Sequence, residues 1–239
     1  MTLDTRNTGG RFGNKVFQNA VVSAVARRFD LRATYAMRDE CEALGMELFS
    51  GSRDPSSTSV RLTDALAEAI LSDTYDGERT FVITYWTFFQ TPALARWMRE
   101  KALLVPRCLV SSAPNTTVFV HVRLGDIHAD TPSRPTDDWV AAVDEARRRG
   151  GTDVLVASDE PSHEIVSALV ARTGATPVLL DAVGTIRRGA SCAHLVLSDG
   201  SFSWLVAALA PRPASVQYLP RHGRQWHGDI FVFDDWVRK

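Results

Sequence analysis

Four polar clusters in this chain have the residue types and spacing to do chemistry. The first, Gly9-Gly10-Arg11-Phe12-Gly13-Asn14, is a glycine-rich loop running into a helix. Such a loop exposes backbone N–H groups, and the positive end of the helix dipole favours an anion there. Arg11 adds a guanidinium suited to phosphate, although a plain turn with a surface arginine fits the same residues. The second, His121-Val122-Arg123-Leu124-Gly125-Asp126, closes an apolar run, and alternation puts His121 and Arg123 on one face. Charged groups at the end of a buried strand need a partner, which a diphosphate or an Arg123–Asp126 ion pair would supply. The third, Ser158-Asp159-Glu160, offers a carboxylate to a base or ribose, or else a cap for the helix that follows. The fourth, Ser198-Asp199-Gly200-Ser201-Phe202-Ser203-Trp204, places small hydroxyl residues at a helix start, as a second anion cradle or as capping alone.

The elements that must hold these clusters follow from periodicity. Val16, Phe17, Ala20, Val21, Ala24 and Val25 recur at helical spacing, predicting a helix over Gly13–Phe29. Helices are also expected at Arg38–Leu48, Leu62–Leu71, Pro92–Leu104, Asp138–Arg149, Pro161–Arg172 and Ser203–Ala210. Strands are expected at Leu31–Ala36, Thr80–Tyr85, Thr117–Val122, Asp153–Ala157, Thr176–Leu180, His194–Leu197 and Ser215–Leu219. Short apolar strands alternating with helices imply parallel βαβ units, so the fold class is α/β. Sheets of this kind bind ligands beyond the carboxyl ends of their strands. Three of the clusters end strands of the second half and the first opens the other half. That layout suits a nucleotide-diphosphate cleft between two α/β halves, residues 1–110 and 111–239.

The composition agrees with a folded globular chain. Of 239 residues, 45% are hydrophobic and 23% charged. Lys and Arg number 27 against 28 Asp and Glu, a formal net charge of −1, so the basic excess of a nucleic-acid binder is missing. Cys41, Cys108 and Cys192 lie far apart, which argues for buried thiols rather than a disulfide framework or a zinc knuckle. The polar start MTLDTRNTGG does not read as a signal peptide, and the apolar stretch at Leu205–Ala210 is too short for a membrane span. A cytoplasmic protein is expected, with room for peripheral membrane contact. The P-loop, G-x-G-x-x-G, H-E-x-x-H, G-x-S-x-G and Asp-x-Asp signatures do not occur, so no local signature of a hydrolase or of metal-held diphosphate is present.

Taken in order, the segments resemble the α-1,2-fucosyltransferases. The family's glycine-rich start is similar to Gly9-Gly10-Arg11-Phe12-Gly13-Asn14, whose Arg-Phe-Gly-Asn form also resembles the protein O-fucosyltransferases. Its Y-[FW]-Q-S segment is similar to Phe88-Phe89-Gln90-Thr91. Its H-x-R-R-G-D hallmark is similar to His121-Val122-Arg123-Leu124-Gly125-Asp126, with Leu124 in place of the second arginine. Ser158-Asp159-Glu160 resembles its S-D-D, and Ser198-Asp199-Gly200-Ser201-Phe202-Ser203-Trp204 its S-N-S-[ST]-F-S-W-W. Asp229-Ile230-Phe231-Val232 with Trp236 is similar to its acidic-aromatic end. These segments keep the family order and span nearly the whole chain.

The resemblance implies a GT-B fold of two Rossmann-like halves with mostly parallel sheets. It implies metal-independent, inverting transfer of L-fucose from GDP-β-L-fucose to a glycan hydroxyl, in an α-1,2 linkage, with no cofactor beyond the donor. Arg123 would meet the β-phosphate, and Ser201, Phe202 and Ser203 would supply hydroxyl and backbone donors. His121 and Asp159 would position the guanosine. Arg11, Phe12, Gly13 and Asn14 would approach the diphosphate and fucose from the opposite half. Asp126 would act as general base or orient Arg123. His128 and Arg134, in the polar loop that follows, would touch the acceptor, or else form solvated surface. Leu124 keeps open another sugar nucleotide or linkage on the same fold, or a GDP-binding module without turnover. The acceptor and the oligomeric state are not written in the sequence.

Overall fold

The computed structural model describes residues 3–54, 59–77, 80–102, 116–125, 134–220 and 229–239. The chain divides into two compact units, Met1–Leu104 with His227–Ile230, and Val105–Trp226 with Phe231–Lys239. No helix among the described residues is long and apolar enough to cross a membrane.

The first unit runs β1 (Leu3–Asp4), α1 (Phe12–Phe29), β2 (Ala33–Thr34), α2 (Arg38–Ala43), β3 (Val60–Arg61), α3 (Asp64–Leu71), β4 (Phe81–Val82) and α4 (Pro92–Trp97). α4 widens into a turn of π-helix over Met98–Ala102. β1 pairs with β2 and β3 with β4, both in parallel. The predicted stripe of α1 is buried but for the half-buried Ala24, and so are its polar residues Lys15, Gln18 and Asn19. They stand at i, i+3 and i+4, so one helical face presents them together. The Lys15 ammonium donates to Thr5 O at 2.8 Å, Thr8 O at 2.5 Å and Thr8 Oγ1 at 2.8 Å, so all three of its protons have acceptors. Burial pulls its pKa below the usual lysine value, opposed by the Asp4 charge. Asn19 Oδ1 accepts from Thr5 Oγ1 at 2.6 Å, and its Nδ2 donates to Ala36 O at 2.7 Å. The network fastens the segment after β1 to α1 and to the end of β2.

Several expected elements are shorter here. The helix expected over Arg38–Leu48 stops at Ala43, ahead of Gly45 at φ +89°. The strand expected at Thr80–Tyr85 keeps two residues, Phe81 and Val82. The chain then leaves the sheet, and Phe89 adopts φ +57°.

The second unit holds β5 (Val118–Val122), α5 (Thr136–Arg148), β6 (Val154–Ser158), α6 (Glu164–Thr173), β7 (Thr176–Pro177), α7 (Ala182–Ala190), β8 (His194–Ser198), α8 (Ser201–Leu209), β9 (Ser215–Leu219) and β10 (Trp236–Arg238). Its six strands form one sheet in the order β10-β9-β8-β5-β6-β7, and every pairing is parallel. Counted along the chain this is the doubly wound order 3-2-1-4-5-6, compatible with a Rossmann-like class. The direction of winding reverses between β5 and β8.

Both faces of the sheet are covered. Val118, Val120 and Val122 of β5 pack with Trp139 and Val143 of α5 and Leu169 of α6. α7 and α8 pack together. A Cβ on Gly189 of α7 would come within 2.7 Å of Phe119 in β5 and of Val206 in α8, so the glycine sets how closely these elements approach. Two glycines in nine residues mask α7 in the sequence, because each lowers helix propensity. Its start is marked by Asp181, whose carboxylate accepts from Gly184 N at 2.6 Å.

Candidate functional site

At the carboxyl end of the parallel sheet, β5 delivers His121, Arg123 and Leu124. Its neighbours there are Asp159, just past β6, and Ser198 to Ser203 at the junction of β8 and α8. His121 is buried, and its Nδ1 lies 2.7 Å from Ser203 Oγ and 3.4 Å from Ser198 Oγ. The two hydroxyls are 3.1 Å apart, closing a buried triangle across the β5–β8 reversal. Phe202 stacks on the His121 ring at 4.8 Å between centroids. Burial pushes the His121 pKa down to about 4, and Arg123 adds to this while the Asp159 charge opposes it. His121 is therefore neutral at pH 7 and fixes the end of α8 without contributing charge.

α8 has Gly200 as its N-cap, a residue with no side chain to cap with. Ser203 turns its Oγ to His121. Gly200 sits at φ +105°, ψ 161°, a region essentially reserved for glycine. The first-turn N–H groups of α8 point out of the helix end, as in anion-binding helix starts. The half-buried Arg123 runs beside this turn, its Cδ 4.0 Å from where a Gly200 Cβ would stand.

Asp159 does not cap a helix either, because α6 is capped by His163, whose Nδ1 accepts from Ile165 N at 3.2 Å. Asp159 Oδ1 instead accepts from Leu124 N at 2.8 Å and Gly125 N at 3.3 Å. Partial burial works against its charge. The two N–H bonds and the Arg123 charge outweigh it and hold the carboxyl below the usual range. Leu124 is 2% exposed and packs in the core beside Val122 and Trp139, so the side chain at this position serves folding. The structure thus brings His121, Arg123, Asp159, Ser201, Phe202 and Ser203 to one end of one sheet. That end offers a guanidinium and a helix N-terminus, a pair suited to a polyanion.

The other expected residues stand elsewhere. Arg11, Phe12, Gly13 and Asn14 form the start of α1 in the first unit. Arg11 is the N-cap and is exposed, whereas Phe12 and Gly13 are buried. Gly10 at φ +99° makes the turn before them. Gln90 Nε2 donates to Asn14 Oδ1 at 2.6 Å, which ties the Phe88-Phe89-Gln90-Thr91 segment to the glycine-rich one. Arg134, expected as an acceptor contact, is engaged within the protein. It donates to Pro220 O at 2.6 Å, Lys239 O at 3.1 Å and Asp138 Oδ2 at 3.1 Å. Asp126 and His128 lie outside the described residues.

Sequence reasoning passed over Ser198 as the third corner of the triangle and Gln90 as the partner of Asn14. A signal existed for each, since both belong to segments that carry the family resemblance. Among the described residues, no three His, Cys, Asp or Glu side chains converge as metal ligands. Compared with protein-family models, curated proteins and solved structures, the chain finds no match.

Proposed function

We propose that the chain is an inverting, metal-independent glycosyltransferase that moves L-fucose from GDP-β-L-fucose to a hydroxyl of a glycan acceptor. The observation that carries this reading is the His121–Ser203 bond across the β5–β8 reversal, with Arg123 alongside. In a doubly wound sheet, ligands bind at the reversal point beyond the carboxyl ends, where this guanidinium and the α8 N-terminus stand. The chain has two α/β units with parallel strands in each, which supports the GT-B reading.

The chemistry follows from the groups present. As the glycosidic bond to the diphosphate breaks, negative charge gathers on the β-phosphate and positive charge on the sugar ring. Arg123 and the α8 N–H groups are fixed in advance to hold that negative charge. Neutral His121 and Ser203 keep the helix end in register with β5. Asp159, bound to the Leu124 and Gly125 amides, shapes the turn that presents Arg123. Leu124 points into the core, so this turn offers one guanidinium rather than the hallmark's two. The linkage is read as α-1,2 and the acceptor as a glycan.

Thermal unfolding in EDTA with GDP, GDP-fucose, GDP-mannose, UDP and UDP-glucose tests the reading. Ligand at 100 times its Kd adds about 2.7 kcal/mol, which raises Tm by several degrees. The expected result is a rise with GDP and GDP-fucose that shrinks in Arg123→Ala. Equal responses to guanine and uracil nucleotides, or a response indifferent to Arg123→Ala, would overturn it.

A further inference from the structure

Tyr85 is 55% and Trp86 64% exposed, and among the described residues no other aromatic side chain is exposed to this degree. Leaving such rings in water forgoes the free energy of burial, so their exposure calls for a reason. They do not belong to a loose segment. Thr87, Phe88 and Phe89 next to them are buried. Phe89 holds φ +57°, a conformation that a bulky residue keeps only where its surroundings dictate it. Its N–H donates to Asp64 Oδ1 at 3.1 Å.

The segment is also stitched to the glycine-rich loop. Gly9 N donates to Tyr85 O at 2.8 Å, and Gln18 Nε2 bridges Gly9 O at 3.2 Å and Thr87 O at 2.9 Å. A Cβ on Gly9 would fall 2.9 Å from Tyr85 Cε1, so the bare glycine is the floor under that ring. The Tyr85 and Trp86 rings meet edge to face, 4.8 Å apart at 81°.

We propose that Tyr85 and Trp86 form a platform on which a pyranose ring of a glycan stacks. As an acceptor subsite, the platform rests on the transferase reading above. The C–H face of a pyranose is apolar and weakly positive, and it lies down on the negative face of an aromatic ring. Tyrosine and tryptophan give large contact area at little cost in side-chain freedom. The polar groups that would read hydroxyls, Arg11 and the Asn14–Gln90 amide pair, stand on the same two stitched segments. A crossed pair presents one open face and an edge.

The test is a printed array of neutral oligosaccharides ending in galactose, glucose, mannose or N-acetylglucosamine, followed by titration with any glycan retained. Wild type, Trp86→Ala, Tyr85→Ala and Trp86→Phe are compared, with GDP-induced thermal shifts measured in parallel. The expected result is that Trp86→Ala weakens glycan binding about tenfold or more. Trp86→Phe retains most of the affinity, and the GDP response is unchanged in all variants. No glycan bound by wild type, or binding indifferent to both alanine variants, would overturn the platform while leaving a positive GDP response intact. Glycan binding that depends on Trp86 without any GDP response would uphold the platform and remove the transferase reading.

Discussion

Asn14 Oδ1 accepts a hydrogen bond from Gln90 Nε2 at 2.6 Å, joining residues 76 positions apart. The bond closes a small frame whose other members are Gly10, which must turn at φ +99°, and Phe89, which must sit at φ +57°. A turn open to glycine and one strained residue, Phe89, are thus held next to one side-chain contact.

Removing that contact has a measurable cost. Gln90→Ala and Asn14→Ala should each lower stability by about 1 kcal/mol in urea unfolding. The double variant should lose less than the sum, with a coupling energy of about 0.5–1.5 kcal/mol. Strict additivity would mean that the amide pair does not hold the two loops together.

His121 makes stability depend on pH. Its folded pKa of about 4 lies below the unfolded value of 6.5. Between these values the unfolded chain binds more protons, so stability falls as pH is lowered from 6.5 towards 4. The loss amounts to roughly 3 kcal/mol at most. His121→Asn should remove this slope from urea unfolding followed across the same range. A slope unchanged in the variant would assign the titration to another group.

Gly200→Ala should cost about 1–3 kcal/mol, from backbone strain alone. The nearest heavy atom, Arg123 Cδ, stands at an ordinary 4.0 Å from a built Cβ, so no clash adds to it. Relief of the strain would tilt the first turn of α8, and the nucleotide-induced rise in Tm should fall with it. Full nucleotide response in a destabilised Gly200→Ala would separate the helix end from binding.

At position 159 the acceptor oxygen and the charge both count. Asp159→Asn keeps an oxygen for the Leu124 and Gly125 amides and should lose about half of what Asp159→Ala loses. For the alanine variant that is about 1–2 kcal/mol by denaturant unfolding. Because the folded pKa is lowered, the carboxylate's contribution is present above the unfolded value of 3.8 and fades as pH drops through the folded one. Equal losses in the two variants would show that charge, not the amide bonds, is what the site uses.

The second unit was largely legible. Its main strands are short, mostly apolar runs flanked by turn residues, and Ser215–Leu219 matches its expectation residue for residue. α7 was hidden because Gly184 and Gly189 lower helix propensity, the second of them in the service of packing. β1 and β3 have two residues each and β10 three, too few for a period to show. In the first unit, apolar spacing found α1 but not the role of Lys15, Gln18 and Asn19, since buried polar networks look like a solvated face until their partners are seen. The candidate site was legible as clusters at strand ends. Which clusters meet depends on strand order, and that is settled by long-range pairing rather than by any local signal.

The His121–Ser203 bond joins residues 82 positions apart. β5 is the first strand of its sheet to be synthesised, yet it lies at the centre and pairs with β8. The β5–β6–β7 part of the sheet closes over shorter loops, whereas β5 and β8 meet across a longer one that costs more entropy. The triangle of His121, Ser198 and Ser203 therefore needs β8 and the start of α8 in place beside β5. A chain interrupted before α8 would lack Ser203, and with it the bond that fastens the helix start to β5.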